Sequence, residues 1–135
     1  IMELARHTDL FLYDLKHMHP RRHMEYTGVS NHLILRNLEL IARSHTPVRV
    51  RIPVIPGINT DAENLRASAA FLTTLASIES VELLPFHRAA RGKYARMGIA
   101  SMMPEMHPPS SELLKDMTRC FKAAGLQVRQ GGELK

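Results

Sequence analysis

The sequence predicts an α/β protein built on a parallel sheet, and the order of its strand-like and helix-like segments is what predicts it. Three strand-like segments, at 10–16, 48–57 and 81–87, are separated by stretches with helical periodicity. A strand–helix–strand order places neighbouring strands parallel. Each segment ends in charged or titratable side chains, and parallel sheets bind ligands at the carboxyl ends of their strands.

The length and composition fit one globular domain covering 1–135. A chain of 135 residues can bury a real core, and no apolar run approaches the ~20 residues of a membrane span. No signal-peptide pattern opens the sequence, and a single cysteine, Cys120, excludes a disulfide framework. These features predict a cytoplasmic protein. Because the first residue is Ile1 rather than methionine, we expect an excised or truncated piece.

The basic balance of the chain indicates an acidic partner or a well-solvated surface. The formal net charge is +5, and part of the excess is concentrated in one loop, at Arg88, Arg91, Lys93 and Arg96. Nucleic-acid binding is disfavoured because no nucleic-acid fold signature accompanies the charge. The chain also has no tryptophan and few aromatic residues on which bases would stack.

The first part of the chain predicts a helix end at 1–7, a strand at 10–15 and a polar, basic connection at 20–30. The strand has a continuous apolar character broken by Asp14, which is typical of a strand buried on both faces. A helix is expected at 31–44, with Ser30 as its cap and an apolar stripe at i, i+4 and i+7. That stripe consists of Ile34, Leu38 and Ile41.

The middle of the chain predicts a strand at 48–54, a helix and a third strand at 81–85. The 48–54 segment alternates aliphatic residues with Arg49, Arg51 and Pro53. Thr60 and Glu63 have the spacing of a capping box that opens the following helix. A long connection at 88–108 precedes a last helix introduced by Pro108-Pro109 and Ser110 and ended at Gly125. A short strand is expected at 126–129.

The strand ends predict a polar ligand site. If the aliphatic residues of 48–54 face the helices, Arg51 points to the opposite, inward side, and Asp14 and Lys16 share a face on the first strand. On the third strand His87 shares a face with Leu83 and Pro85. Inward charges are costly unless they are paired or bound to a ligand. A buried Asp14–Lys16–Arg51 network is one interpretation, and a site for a zwitterionic ligand is the other.

Four segments of the chain form a recognisable set, namely YDLKHM (13–18), EYTGVSN (25–31), RIPVIPGIN (51–59) and ELLPFH (82–87). Together they resemble the pyruvate formate-lyase-activating enzyme family, the glycyl-radical-enzyme activases of the radical S-adenosylmethionine superfamily. The similarity continues in GKY (92–94), PPS (108–110) and AAGLQV (123–128), so it covers nearly the whole chain in order.

The resemblance implies a partial (β/α)6 TIM-like barrel, of which this chain would supply about the last three β/α units. It implies that S-adenosylmethionine contacts Asp14, Lys16, Arg51 and His87, and that Asp14 and a backbone oxygen near Leu12 help hold a monovalent cation. Family members use a [4Fe-4S] cluster to cleave S-adenosylmethionine reductively, and the radical takes a hydrogen atom from a glycine of a pyruvate formate-lyase-like partner. A flavodoxin or ferredoxin supplies the electron in the intact enzyme.

The chain departs from the family pattern at the cluster. The family binds its cluster through CxxxCxxC, whereas this chain has only Cys120, and one thiolate cannot hold four irons. We therefore expect no cluster ligand here, and a chain that corresponds to the carboxyl-terminal half and is inactive alone. The alternative is a non-catalytic S-adenosylmethionine-binding or protein-interaction module. Exposed barrel edges predict self-association in either case.

Two smaller features carry weaker hypotheses. His17, His19 and His23 have an HxHxxxH spacing that suits zinc or nickel, although a solvent-facing polar loop is the simpler interpretation. Methionines in the long connection suggest an adaptable partner surface. They are Met97, Met102, Met103 and Met106.

Overall fold

The computed structural model describes residues 1–87 and 106–131, and these form a parallel α/β sheet with helices packed on one face. The strands are β1 (Phe11–Asp14), β2 (Val48–Val54), β3 (Ile78–Pro85) and β4 (Val128–Gln130). They lie in the order β1-β2-β3-β4, and every neighbouring pair is parallel. The helices are α1 (Met2–Ala5), α2 (Pro20–Thr27), α3 (His32–Arg43), α4 (Ala62–Thr73) and α5 (Ser111–Ala123).

The core lies between one face of the sheet and helices α3, α4 and α5. The aliphatic positions of β2 and β3 are fully buried there. Burying an aliphatic side chain of this size contributes about 1.5–3 kcal/mol, so this layer supplies most of the stability. Its largest members are Leu38, Ile41, Leu72, Leu83, Met117 and Phe121.

The opposite face of the sheet carries polar side chains. Leu12 of β1 is 52% exposed on this face, and Asp14 and Arg51 are partly exposed. The prediction that the first strand is buried on both faces is therefore wrong. The strand lies at an edge of the described sheet and has helices on one side only.

The capping predictions have mixed outcomes. Ser110 caps α5, and its hydroxyl accepts a hydrogen bond from the Leu113 N–H at 3.1 Å, as predicted. Helix α4 is capped by Asp61, whose carboxylate accepts from the Asn64 N–H at 2.9 Å, so the Thr60–Glu63 capping box is wrong by one residue. Thr60 instead accepts from the Gly57 N–H.

The start of helix α3 and its N-cap each lie one residue later in the chain than predicted. The N-cap is Asn31, and Ser30 makes only a 3.4 Å contact with the His32 N–H. The Asn31 side chain does not cap the helix because it is hydrogen-bonded to the loop after β1.

Helix α2 occupies the segment expected to be a connection. Pro20 stands in the first turn, where its missing N–H costs nothing. Gly28 ends the helix with φ +80, a left-handed conformation that favours glycine. Polar and basic residues dominate the helix, so it has no apolar stripe by which periodicity would have predicted it.

None of the helices in the described ranges is long and apolar enough to cross a lipid bilayer.

Candidate functional site

An ion pair joins the carboxyl end of β1 to β2 on the uncovered face of the sheet. Arg51 Nε donates a hydrogen bond to Asp14 Oδ1 at 2.8 Å, and Arg51 Nη2 lies 2.7 Å from the same oxygen in the ion pair. The two residues are register partners, since Asp14 pairs with Arg51 across the strands. Their side chains remain 41% and 35% exposed. The interpretation as a buried charge network is therefore wrong, and Asp14 Oδ2 has no partner within the described residues.

Lys16 follows Asp14 by two positions, in the loop after β1. A groove of about 430 Å³ along the outer edge of β1 is lined by both Asp14 and Lys16. The Lys16 side chain makes no ion pair with the described residues. The groove thus presents one carboxylate and one ammonium close together.

A buried asparagine fixes the backbone of Lys16. The Asn59 side chain, 1% exposed, donates from Nδ2 to the carbonyl oxygens of Lys16, at 3.1 Å, and of Pro53. Its Oδ1 accepts from the Ile55 N–H at 3.0 Å. One side chain therefore joins the loop after β1 to the end of β2.

Two further asparagines hold the same loop from other sides. Asn31 donates to the carbonyl oxygens of His17, at 3.0 Å, and Met18, at 2.7 Å. Asn64 accepts from the Met18 N–H at 2.9 Å and donates to the Asn59 carbonyl at 2.9 Å. The loop that carries Lys16 is consequently bonded on three sides, which limits the movement of its backbone.

His87 lies apart from this arrangement. It is exposed two residues after the end of β3 and makes no hydrogen bond to another described residue. Leu83, whose face His87 was predicted to share, packs in the helix-covered core. Alternation along β3 instead places Glu82 and Leu84 on the uncovered face.

Glu82 and Arg129 are two uncovered-face residues that the sequence analysis missed. Glu82 is the register partner of Arg51, and Arg129 is the register partner of Glu82. Asp14, Arg51, Glu82 and Arg129 thus form a row of alternating charge, one residue on each of the four strands. Correct strand parity for 78–85, together with the order of the sheet, would have indicated them.

The histidines after β1 have structural contacts and do not assemble a metal site. His23 Nδ1 lies 2.7 Å from the Val29 carbonyl oxygen, and Thr27 bonds to the same histidine. Across residues 1–87 and 106–131, no group of three His, Cys, Asp or Glu side chains is arranged to hold a metal ion. The HxHxxxH hypothesis is not supported there.

His17 is the buried member of this group. Its side chain is 4% exposed, and Nδ1 accepts from the His19 N–H at 3.0 Å, while Nε2 has no hydrogen-bond partner among the described residues. Burial, which disfavours the imidazolium, lowers the pKa of His17, and Asp61 opposes the shift only in part.

The lowered pKa predicts that stability falls in mild acid. The unfolded chain binds a proton at His17 near pH ~6.5, whereas the folded chain holds it neutral, so the unfolding free energy decreases as the pH falls through that value and levels off below the folded pKa. His17→Asn, whose Oδ1 can still accept from His19, is expected to flatten this slope. Urea titrations at pH 5 and 7.5 measure it. An equal flattening in the exposed control His32→Asn would contradict the assignment.

Several predicted features lie outside the described residues. They are Arg88, Arg91, Lys93, Arg96, Met97, Met102, Met103 and the GKY segment at 92–94. Met106 is described, and it is buried in a small cluster with Ile55, Ile58 and Phe86.

Curated relatives share a consistent description. The chain is 37% identical over 131 residues to a trans-4-hydroxy-L-proline dehydratase activating enzyme from Clostridioides difficile, covering 96% of this chain and 43% of that protein. It is 34% identical to a pyruvate formate-lyase-activating enzyme from Staphylococcus epidermidis, covering 87% of this chain and 47% of that protein. The chain thus spans less than half the length of these relatives. No family model matches it.

A solved structure decides the family. A domain of pyruvate-formate lyase-activating enzyme from Bacteroides vulgatus superposes with a TM-score of 0.80 at 33% identity, and the match covers 96% of this chain and 71% of that one. The chain belongs to the glycyl-radical-enzyme activating enzyme family. A radical SAM methyltransferase from Sphaerobacter thermophilus shares the fold at a TM-score of 0.67 and 16% identity. The predicted α/β fold of the radical SAM type is confirmed.

Membership of the activating enzyme family raises the question of which cofactors this chain can hold. The Asp14, Lys16 and Arg51 side chains provide one acceptor and two cations, which suit the ammonium and carboxylate groups of S-adenosylmethionine. A four-iron cluster does not fit, because Cys120 is the only cysteine and lies half-buried within α5.

Proposed function

We propose that this chain supplies the S-adenosylmethionine-binding strand ends of a glycyl-radical-enzyme activating enzyme. The observation that carries the proposal is the Asp14–Arg51 ion pair on the uncovered face, in a chain of this family. An ion pair on an otherwise solvated face contributes little stability. A role in binding a zwitterion explains its position better than a structural role does.

Each residue has a distinct part in the proposed binding. Arg51 and Lys16 bind the carboxylate of the methionine moiety, and the free Oδ2 of Asp14 accepts from ammonium or hydroxyl donors. His87 contributes a fourth contact. Asp14 and the backbone oxygen of Leu12 are proposed to hold a monovalent cation. These roles follow the family resemblance together with the observed contacts of Asp14 and Arg51.

The proposed reaction requires a cluster that this chain does not ligate. With a [4Fe-4S] cluster, S-adenosylmethionine supplies a 5′-deoxyadenosyl radical that takes a hydrogen atom from a glycine of the partner enzyme. We propose that the chain, 1–135, is one domain corresponding to the carboxyl-terminal half of the barrel and is inactive alone. A pyruvate formate-lyase-like enzyme is its proposed partner, with a flavodoxin or ferredoxin as reductant, in the cytoplasm.

The test is reconstitution with a cluster-bearing amino half under reducing, anaerobic conditions. We expect 5′-deoxyadenosine from the mixture and none from either part alone. Asp14→Ala in this chain is expected to abolish the product, and Glu3→Ala, on the exposed α1, serves as the control. No product from a mixture whose cluster is spectroscopically intact would contradict the proposal.

A second candidate is a non-catalytic module that binds S-adenosylmethionine without redox chemistry. The single cysteine favours it. This candidate also predicts ligand binding, but no 5′-deoxyadenosine in the reconstituted mixture. The same experiment therefore separates the two.

A further inference from the structure

Glu82 is a charged residue on the uncovered face to which the proposed function assigns no role. It stands in register between Arg51 and Arg129, yet its carboxylate forms no ion pair or hydrogen bond with the described residues. Neighbouring strands lie about 4.8 Å apart, so two guanidinium groups stand within reach of it. Because Arg51 bonds to Asp14 instead and the Glu82 carboxylate bonds to neither guanidinium, this carboxylate is available to a third group.

The neighbourhood of Gly131 shows where this carboxylate lies. A Cβ added to Gly131 would overlap Oε1 and Cδ of Glu82 and Cδ2 of Leu84. The Gly131 N–H bonds to the Leu83 carbonyl at 2.8 Å, so its backbone continues the sheet beyond β4. The Glu82 side chain therefore extends toward the carboxyl ends of the strands, where Asp14 also lies, and occupies space that any residue larger than glycine would fill.

We propose that Glu82 is a specificity-determining residue that makes the site favour a positively charged ligand. The inference rests on the proposed function, in which the ligand is the sulfonium S-adenosylmethionine. Asp14, Lys16, Arg51, Glu82 and Arg129 together carry one net positive charge, and without Glu82 they carry two. Since charges at a partly exposed site still interact over a few ångströms, the negative charge of Glu82 is expected to discriminate between ligands that differ in charge.

The discriminating ligand pair is S-adenosylmethionine and S-adenosylhomocysteine. The second is a neutral thioether and lacks both the sulfonium charge and one methyl group, but it keeps the remaining groups of the first. A residue that acts on the sulfonium charge must change the affinity for the first ligand more than that for the second. A residue that only shapes the fold changes both alike.

The experiment is calorimetric titration of the purified chain with each ligand, for wild type, Glu82→Gln and Glu79→Gln. Glu79 lies on the same strand near its amino end, paired with Arg49, so its variant makes the same charge change away from the site. We expect Glu82→Gln to weaken S-adenosylmethionine about tenfold and S-adenosylhomocysteine less than twofold, which corresponds to a change in preference of about five- to tenfold, or about 1–1.4 kcal/mol. Glu79→Gln is expected to change neither.

The outcomes are distinguishable from failure of the proposed function. A wild-type chain that binds neither ligand overturns the proposed function and this inference with it. Binding of both with an unchanged ratio in Glu82→Gln overturns this inference alone. If Glu82→Gln does not melt cooperatively, Glu82→Asp is titrated in its place. Aspartate keeps the negative charge, but its side chain is shorter by one methylene group. About a threefold loss of preference then supports the inference, and an unchanged preference overturns it.

Discussion

Replacing Asn59 with alanine is expected to lower the free energy of unfolding by about 3–5 kcal/mol, because each buried backbone group left without a partner costs about 1–3 kcal/mol. Three such groups lose their partner together, namely the carbonyl oxygens of Lys16 and Pro53 and the N–H of Ile55. The site is buried, so water replaces these bonds poorly. Urea denaturation followed by circular dichroism measures the loss.

The neighbouring Thr60→Ala is the matched control for Asn59. Its hydroxyl accepts a single 3.3 Å bond from Gly57 N–H in a half-buried turn, so we expect a loss below about 1 kcal/mol. Asn59→Asp refines the test, because its Oδ1 can still accept from Ile55 while a carboxylate faces the two carbonyl oxygens. A loss for Asn59→Ala no larger than that for Thr60→Ala would contradict the proposed role in holding the Lys16 loop.

The sequence predicted the layer architecture well because that architecture depends on periodicity. The alternation of 48–54 predicted β2 with the bounds observed, and the stripe of Leu38 and Ile41 predicted α3 and its buried face. Helix α2 escaped prediction because its stability does not depend on an apolar stripe. The sequence signals for this helix are Pro20 at its start and Gly28 at its end, and neither contributes to hydrophobic periodicity.

Residues of the candidate site could be predicted only on strands whose alternation shows which side chains face the core. The alternation of β2 placed Arg51 opposite the core, and the structure brings it to Asp14. On β3 the prediction followed His87 and the residues that share its face, so Glu82 on the other face was missed. The asparagines that support Lys16 were missed for another reason. An asparagine in a loop has the same pattern whether it is exposed or buried, and only the fold shows that Asn31, Asn59 and Asn64 converge on one segment.

Replacing Arg51 with alanine is expected to weaken S-adenosylmethionine binding about 30- to 100-fold while changing stability little. The proposed binding gives Arg51 a charge-assisted hydrogen bond to the ligand carboxylate, worth about 1.5–3 kcal/mol, and the variant also removes the partner that orients Asp14. The ion pair itself is more than a third exposed on average, so its loss costs about 0.5 kcal/mol of folding stability. Calorimetric titration and thermal melts measure the two effects separately.

Arg49→Ala is the matched control, because Arg49 lies on the same strand and face and bonds in the same way. Its Nε and Nη2 both donate to one oxygen of Glu79, at 3.2 and 3.1 Å. It stands two residues closer to the amino end of β2, away from the strand ends. The two variants remove the same charge and the same kind of pair, so they differ mainly in position. Equal losses of affinity would mean that the ligand responds to overall charge, and the strand-end site would then be wrong. A loss confined to Arg51→Ala requires that the ligand lies at the carboxyl ends of β1 and β2.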